Sequence, residues 1–162
     1  MTVVDQMLQK YALSTHEDQA RALREVMQEI ALAGLNRGGF FDKAAFYGGT
    51  CLRIFHGLPR FSEDLYFSLL KPDANFSFEP YFKTLRDEFS VFGFEVEISE
   101  KRKTATTGIA SAFLKKSSSI YDLQVVGQKV MKIKFEVDTD PPPCFSTEEK
   151  LLIQPYSFYV KC

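Results

Sequence analysis

The chain has 162 residues, of which 45% are hydrophobic and 25% are charged. This length fits one compact domain, and the composition is that of a globular protein with a full core, which excludes wholesale disorder. The net charge is −1, so no overall positive field attracts nucleic acid or an anionic membrane. Any recognition of phosphate must therefore be local.

The first half of the chain predicts helices that alternate with short strands. Thr15 is a candidate N-cap for an amphipathic helix that ends near residues 36–39. An apolar strand over residues 43–47 follows and leads into a tight glycine turn. A second apolar strand is predicted at residues 65–70.

The second half predicts one more helix and several strands. Residues 79–92 carry aromatic and aliphatic side chains at helical spacing, whereas residues 94–98 and 132–138 alternate between apolar and polar, as half-buried strands do. Further strands are predicted at residues 109–116 and 151–160. The order of elements indicates an α+β fold, with a mixed sheet flanked by helices in a single domain over the whole chain.

Cysteine use indicates a reducing compartment. Cys51, Cys144 and Cys162 are far apart and form no CxxC pair, so they give neither a disulfide framework nor a zinc site. No apolar run approaches the roughly 18 residues of a membrane span, and the N-terminus lacks the pattern of a secretory signal. We therefore expect a cytoplasmic protein with no membrane association.

The segment between Tyr47 and Ser68 carries the main functional signal. Gly48 and Gly49 connect a predicted strand to a short helix, which Thr50 is predicted to cap. Glycine has no Cβ and a helix N-terminus is electropositive, so such a turn can bring backbone N–H groups close to a phosphate. The alternative is an ordinary tight turn between a strand and a helix.

Asp64 lies at the start of the strand that follows the glycine turn. Strand pairing can bring its carboxylate to the mouth of the turn, where it can hold Mg²⁺ that also contacts bound phosphates. Arg60 and Ser62 can add charged and hydroxyl contacts to phosphate, whereas Glu63 points to the opposite face of the strand. The alternative is that Glu63 and Asp64 are solvated turn residues.

The Gly-Gly-Thr turn, the short helix and the Arg-Phe-Ser-Glu-Asp-Leu block at residues 60–65 together resemble a known signature. It is that of the AbiEii/AbiGii-type nucleotidyltransferase toxins of the polymerase-β-like superfamily. In that family the turn binds a nucleoside triphosphate, and an Asp-x-Asp pair on the next strand binds divalent metal ions. The resemblance implies that Asp64 is the first metal aspartate. The implied nucleotide-binding residues are Gly48, Gly49, Thr50, Arg60 and Ser62.

The sequence departs from the family pattern at the second aspartate, which is Tyr66. Asp64 and Tyr66 share one face of the strand, and a neutral phenol is a poor ligand for Mg²⁺. The resemblance also implies an acidic residue on a neighbouring strand, and the family's Lys-x-Glu pattern is similar to residues 134–136. Glu136 is therefore the first candidate for catalysis and metal binding, and Asp138 is the second metal candidate. The alternative is an amphipathic strand with a charged solvent face.

The resemblance implies a nucleotidyltransferase-like fold and a Mg²⁺-dependent enzyme that transfers a nucleotide from a nucleoside triphosphate to an acceptor. The acceptor would be an RNA, such as a tRNA, or a protein, and a cognate antitoxin and a role in abortive infection are implied as well. The alternative is a degenerate relative that binds a nucleotide or a partner without catalysis, which Tyr66 favours. The chain ends where the C-terminal helical half of family members is expected to begin, so we expect that half to be absent.

Overall fold

The computed structural model describes residues 3–12, 14–59, 63–101, 118–126, 131–141, 147–152 and 158–162. Three of the sequence predictions lie outside these residues, namely the strand at residues 109–116 and the nucleotide-binding residues Arg60 and Ser62. Cys51 and Cys162 are free thiols. In the part of the chain that is described, no helix combines the length and the apolar character that a membrane span requires.

The helices are α1 (Val3–Leu8), α2 (His16–Arg37), α3 (Gly49–His56) and α4 (Pro80–Val91), with a 3₁₀ turn at Phe40–Asp42. The strands are β1 (Ala44–Tyr47), β2 (Leu65–Leu69), β3 (Val96–Lys101), β4 (Ser118–Val125), β5 (Lys132–Asp138), β6 (Glu149–Leu152) and β7 (Phe158–Lys161). The fold class predicted from the sequence, a mixed sheet flanked by helices, is confirmed.

Five strands form one sheet in the order β1-β2-β5-β4-β3. Only the pairing of β2 with β5 is parallel among the described strands, and it sets Tyr66 level with Glu136 and Ser68 level with Asp138. On the other side of β2, Tyr47 is the antiparallel partner of Tyr66. The sheet therefore brings the end of β1, the start of β2 and the polar positions of β5 side by side.

One face of the sheet is buried against the helices, because the inward positions of the strands are apolar. Phe67 of β2 and Phe135 of β5 are fully buried, and their rings lie 6.4 Å apart. Phe40 packs edge-on against Phe67 and Phe78, with ring centroids 5.0 and 5.6 Å away. Edge-to-face pairs of this kind fill a core efficiently. The alternate residues of β2 and β5 point to the opposite, half-exposed face, which carries the polar side chains.

The predicted first helix is confirmed at its start, where Thr15 Oγ1 accepts the N–H of Asp18 at 3.0 Å. Two other predictions are wrong. Thr50 does not cap α3, because Gly48 occupies the N-cap position and Thr50 lies within the helix. The single strand expected at residues 151–160 is instead the antiparallel pair β6 and β7, which forms a separate two-stranded sheet with Leu152 opposite Phe158.

Helix α2 buries a carboxylate, Glu29, whose side chain is only 3% exposed. Lys10 Nζ contacts Oε1 at 3.1 Å, while Oε2 has no hydrogen-bond partner among the described residues. Burial raises the pKa of Glu29 from 4.5 to about 7, because Lys10 offsets only part of the desolvation cost and the charge of Glu25 adds to it. Between pH 4.5 and about 7, Glu29 therefore keeps its proton in the folded protein and loses it in the unfolded chain.

We expect the free energy of unfolding to depend on pH through Glu29. The contribution is complete below pH 4.5, the ordinary pKa, and is lost as the pH rises through about 7. The pKa difference corresponds to a loss of about 3 kcal/mol. Urea denaturation between pH 4.5 and 8 should show this decline, and Glu29→Gln should remove it. The exposed Glu97→Gln is the control, and an unchanged slope in Glu29→Gln would contradict the assignment.

Candidate functional site

The glycine turn joins β1 to α3 through a backbone conformation that suits glycine. Gly48 has φ +89°, in the region that L side chains rarely adopt. A Cβ on Gly48 would lie 3.0 Å from Cδ2 of Tyr66, so the ring of Tyr66 packs directly against the turn. The dihedral angle therefore strongly favours glycine here, and the neighbouring ring leaves little room for a Cβ.

The turn presents the backbone N–H groups of the first turn of α3. The first helical hydrogen bond of α3 runs from the N–H of Leu52 to the carbonyl of Gly48 at 3.0 Å. The preceding donors, on Gly49, Thr50 and Cys51, have no acceptor within the helix because of helix geometry. Donors of this kind, together with the positive end of the helix dipole, favour a bound anion.

Thr50 connects the glycine turn to the strand that carries Asp64. Its side chain is fully buried, and its hydroxyl donates a hydrogen bond to the main-chain carbonyl of Asp64. The hydroxyl therefore ties the start of α3 to the entrance of β2. The sequence indicated a hydroxyl residue at this turn but assigned its bond to the wrong partner.

The carboxylate of Asp64 faces the exposed side of the sheet and is partly buried. The Tyr66 hydroxyl donates to its Oδ2 at 3.2 Å, and Lys134 Nζ of β5 lies 3.5 Å from the same oxygen. Tyr66 thus stands beside Asp64 on one face, as strand geometry predicted. The sequence analysis matched Lys134 to the first position of the family's Lys-x-Glu pattern, but it did not predict the contact with Asp64.

Glu63 points away from this site. Its carboxylate lies 3.3 Å from the guanidinium of Arg24 in α2, and its carbonyl accepts a hydrogen bond from Gln28 at 3.2 Å. The prediction that Glu63 and Asp64 face opposite sides of the strand is confirmed. Glu63 consequently does not replace the carboxylate that Tyr66 lacks.

Glu136 and Asp138 lie on the same face of the sheet as Asp64, on the neighbouring strand. Glu136 is half-buried and level with Tyr66. Asp138 is only 7% exposed, and its Oδ1 accepts the backbone N–H of Asp140 at 3.0 Å. The register therefore places Glu136 nearer than Asp138 to Asp64 along the strands.

Nearby carboxylates affect the pKa values of two tyrosines at the mouth of the turn, Tyr47 and Tyr66. Partial burial raises the pKa of the Tyr47 hydroxyl, and the charges of Asp138 and Glu136 raise it further. Burial likewise raises the pKa of Tyr66, with additional effects from the charge and hydrogen bond of Asp64 and from Glu136. Both phenols therefore remain neutral donors near pH 7.

The donor set fits one Mg²⁺ ion better than two. The described residues contain no group of three or more His, Cys, Asp or Glu side chains arranged to hold a metal. Mg²⁺ in nucleotide enzymes is commonly held by one or two carboxylates together with substrate phosphates. Asp64 and Glu136 are the candidates for it, on adjacent strands and one face, with Glu136 level with Tyr66 and two residues beyond Lys134. With Tyr66 at the second aspartate position, a second ion lacks its bridging carboxylate.

Arg53 of α3 holds the chain that leads from the helix towards residue 60. Its Nε donates to Glu25 Oε2 of α2 at 2.9 Å, and its Nη1 donates to the carbonyls of Leu58 and Pro59 at 3.1 and 2.9 Å. Tyr11 donates to the other oxygen of Glu25 at 2.7 Å. These contacts hold Leu58 and Pro59 close to α3. Local sequence patterns gave no signal for the two bonds to Glu25, because Glu25 lies 28 positions from Arg53 and 14 from Tyr11.

Comparison with protein families identifies one match. Residues 30–160 match the family described as "Nucleotidyl transferase AbiEii toxin, Type IV TA system". The matched region includes the glycine turn, β2 with Asp64 and Tyr66, and β5 with Glu136. Comparison with curated protein sequences gives no significant match.

Two solved structures share the fold. MenT4, the nucleotidyltransferase toxin Rv2826c from Mycobacterium tuberculosis H37Rv, is 22% identical with a TM-score of 0.53, over 98% of this chain and 48% of that protein. JHP933 from Helicobacter pylori is 20% identical with a TM-score of 0.51, over 86% of this chain and 51% of that protein. This chain therefore spans about half the length of either structure.

We expect Thr50→Val to destabilise the protein by about 1–3 kcal/mol, because the substitution removes the buried donor to the Asp64 carbonyl while keeping the side-chain shape. The matched control is Thr50→Ser, which keeps the hydroxyl and loses one methyl group, worth about 0.8 kcal/mol. Urea denaturation of both variants measures the difference. Equal stabilities for Val and Ser at this position would show that the hydrogen bond contributes little.

Proposed function

The chain belongs to the AbiEii nucleotidyltransferase toxin family, and we propose that it binds a nucleoside triphosphate with Mg²⁺ and transfers the nucleotide to an acceptor. The observation that carries this proposal is the hydrogen bond from Thr50 to the Asp64 carbonyl, which joins the first turn of α3 to the residue that bears the candidate metal carboxylate. We propose further that the whole chain forms one nucleotidyltransferase-like domain that acts in the cytoplasm.

In this proposal each part of the site has one role. The first-turn N–H groups at Gly49 and Thr50 bind the phosphates, with Gly48 allowing their close approach. Asp64 and Glu136 would hold Mg²⁺, which neutralises phosphate charge when it is bound. Transfer by in-line attack of an acceptor hydroxyl on the α-phosphorus, with loss of pyrophosphate, needs positioning and electrostatics more than covalent chemistry from the protein.

Arg60 and Ser62 belong to the same proposal, on the resemblance of the Arg-Phe-Ser-Glu-Asp-Leu block to the family signature. Asp138 is kept as a second metal candidate, although its carboxylate already accepts a hydrogen bond from Asp140. The family description, a toxin of a type IV system, supports a cognate antitoxin as the protein partner. The acceptor is proposed to be an RNA, such as a tRNA, or a protein.

A second function is favoured by one observation, the presence of Tyr66 at the second aspartate position. Tyr66 donates to Asp64, and Lys134 is paired with the same carboxylate oxygen. A degenerate relative that binds a nucleotide or a partner without catalysis would keep the glycine turn and lose the second metal. The two functions are distinguished by incubation with labelled nucleotides, since only the enzyme attaches the label covalently to an acceptor.

We expect Gly49→Val to abolish or strongly weaken nucleoside triphosphate binding, because the side chain blocks the approach of phosphate to the first turn of α3. Gly49 lies inside α3, and its neighbour Gly48 is the residue with positive φ, so the fold should survive. Calorimetry with all four nucleoside triphosphates measures the affinity, and circular dichroism checks the fold. Unchanged affinity in a folded variant would overturn the proposed phosphate site.

We expect Tyr66→Asp to increase Mg²⁺ affinity in the presence of a nucleoside triphosphate, because it supplies the missing carboxylate next to Asp64. Where transfer is measurable, it should rise by roughly a hundredfold, as expected when a metal contact made in the transition state is restored.

Tyr66→Phe is the matched control for loss of the hydroxyl, and Asp64→Ala in the Tyr66→Asp background should abolish the gain. Calorimetric titration with Mg²⁺ provides a readout that is independent of activity. If Tyr66→Asp and the unmodified protein bind Mg²⁺ and transfer nucleotide equally, Tyr66 does not limit the metal site.

A further inference from the structure

Lys134 lies on β5 beside the carboxylate of Asp64. The parallel register sets Leu65 level with Phe135. The residues that precede them, Asp64 and Lys134, are therefore next to each other on the two strands. Its Nζ is 3.5 Å from Asp64 Oδ2, and its side chain is 36% exposed. The ammonium group therefore stands on the half-exposed face of the sheet, on the side of β2 opposite β1.

The pair between Lys134 and Asp64 contributes little to stability. Both side chains are about one-third exposed, and an ion pair that water reaches is worth about 0–1 kcal/mol. Asp64 Oδ2 also accepts the hydroxyl of Tyr66, so it keeps a donor if Lys134 leaves. The ammonium can consequently exchange Asp64 for a more strongly charged acceptor at small cost.

Two other described cations, Arg53 and Arg24, have different partners. Arg53 is held by Glu25 and by two main-chain carbonyls, and Arg24 contacts Glu63 on the far side of β2. Lys132 shares the face of Lys134 but lies two residues earlier, level with Gln124 of β4 and farther from Asp64. Since the net charge of the chain is −1, recognition of a triphosphate needs such local cations.

We propose that Lys134 is a phosphate-binding residue, whose ammonium leaves Asp64 and binds the triphosphate when a nucleotide enters. This inference rests on the proposed function and deepens it. The triphosphate carries several negative charges, whereas the Asp64 carboxylate carries one, so the ammonium gains by the exchange. The exchange also leaves the Asp64 carboxylate available to a metal ion.

The test separates phosphate binding from a purely structural ion pair. The probe is inorganic triphosphate in EDTA, measured by calorimetry, so neither the unidentified base nor a metal ion affects the result. Lys134→Met should lower the affinity at least about tenfold, the usual value of a charge-assisted hydrogen bond. The matched control Lys132→Met, on the same face and strand, should lower it much less.

Asp64→Asn breaks the same ion pair from its other side and gives the opposite expectation. A phosphate-binding Lys134 is then released from Asp64, so the affinity for inorganic triphosphate in EDTA should be equal or higher. If the ion pair were only structural, Lys134→Met and Asp64→Asn would lower the affinity for inorganic triphosphate equally. Thermal unfolding of each variant should change little, since both side chains of the pair are about one-third exposed.

Three outcomes overturn the proposal. Equal affinities for Lys134→Met and Lys132→Met, with binding by the unmodified protein, exclude Lys134 as a phosphate-binding residue and leave the proposed function intact. Equal losses in Lys134→Met and Asp64→Asn assign the pair to structure alone. Failure of the unmodified protein to bind inorganic triphosphate and all four nucleoside triphosphates, with and without Mg²⁺, overturns the proposed function as well.

Discussion

The arrangement of the site depends on the buried hydroxyl of Thr50. Its hydrogen bond to the Asp64 carbonyl fixes the start of α3 against the entrance of β2, although the two residues are separated by a helix and a loop. Because the Thr50 hydroxyl is fully buried, leaving it unpaired would be costly, and the bond favours one geometry of the two elements. The first-turn donors therefore have a fixed relation to the main chain of Asp64, which the proposed phosphate and metal sites would both require.

Tyr66 contacts both the glycine turn and the Asp64 carboxylate. Its ring packs against Gly48, and its hydroxyl donates to Asp64. A replacement by aspartate would therefore change more than the metal site, since it would also remove the ring that covers the turn. Position 48 would still need a positive φ, but the Tyr66 ring would no longer limit the space for a Cβ there. Effects of substitution at Tyr66 on the turn and on the carboxylate are consequently coupled and need not be additive.

The sequence predicted well those features that arise from neighbouring residues. An apolar run located β2, alternation located β5, strand geometry separated Glu63 from Asp64, and the cap at Thr15 located the start of α2. It failed where the partner is distant in the chain. The contact between Asp64 and Lys134 depends on the parallel register of two strands about 70 positions apart, which core packing sets and no local pattern encodes. The same reason explains why Thr50 was assigned as a cap, since its partner Asp64 lies 14 positions away.

The charges on the exposed face bear on which of the two proposed functions applies. Loss of the second aspartate leaves Asp64 as the single carboxylate at the start of β2 on that face, and the ammonium of Lys134 neutralises it. Under the proposed function, such a site would repel an incoming triphosphate less than a site with two unpaired aspartates on β2, with Glu136 and Asp138 on the same face in either case. An ammonium carries one charge and coordinates no oxygen, however, so it stabilises the charge that develops during transfer less than a divalent ion does. If Lys134 binds phosphate as proposed, the same substitution that weakens catalysis preserves nucleotide binding. The glycine turn and Thr50 would then be retained for recognition even where transfer is slow.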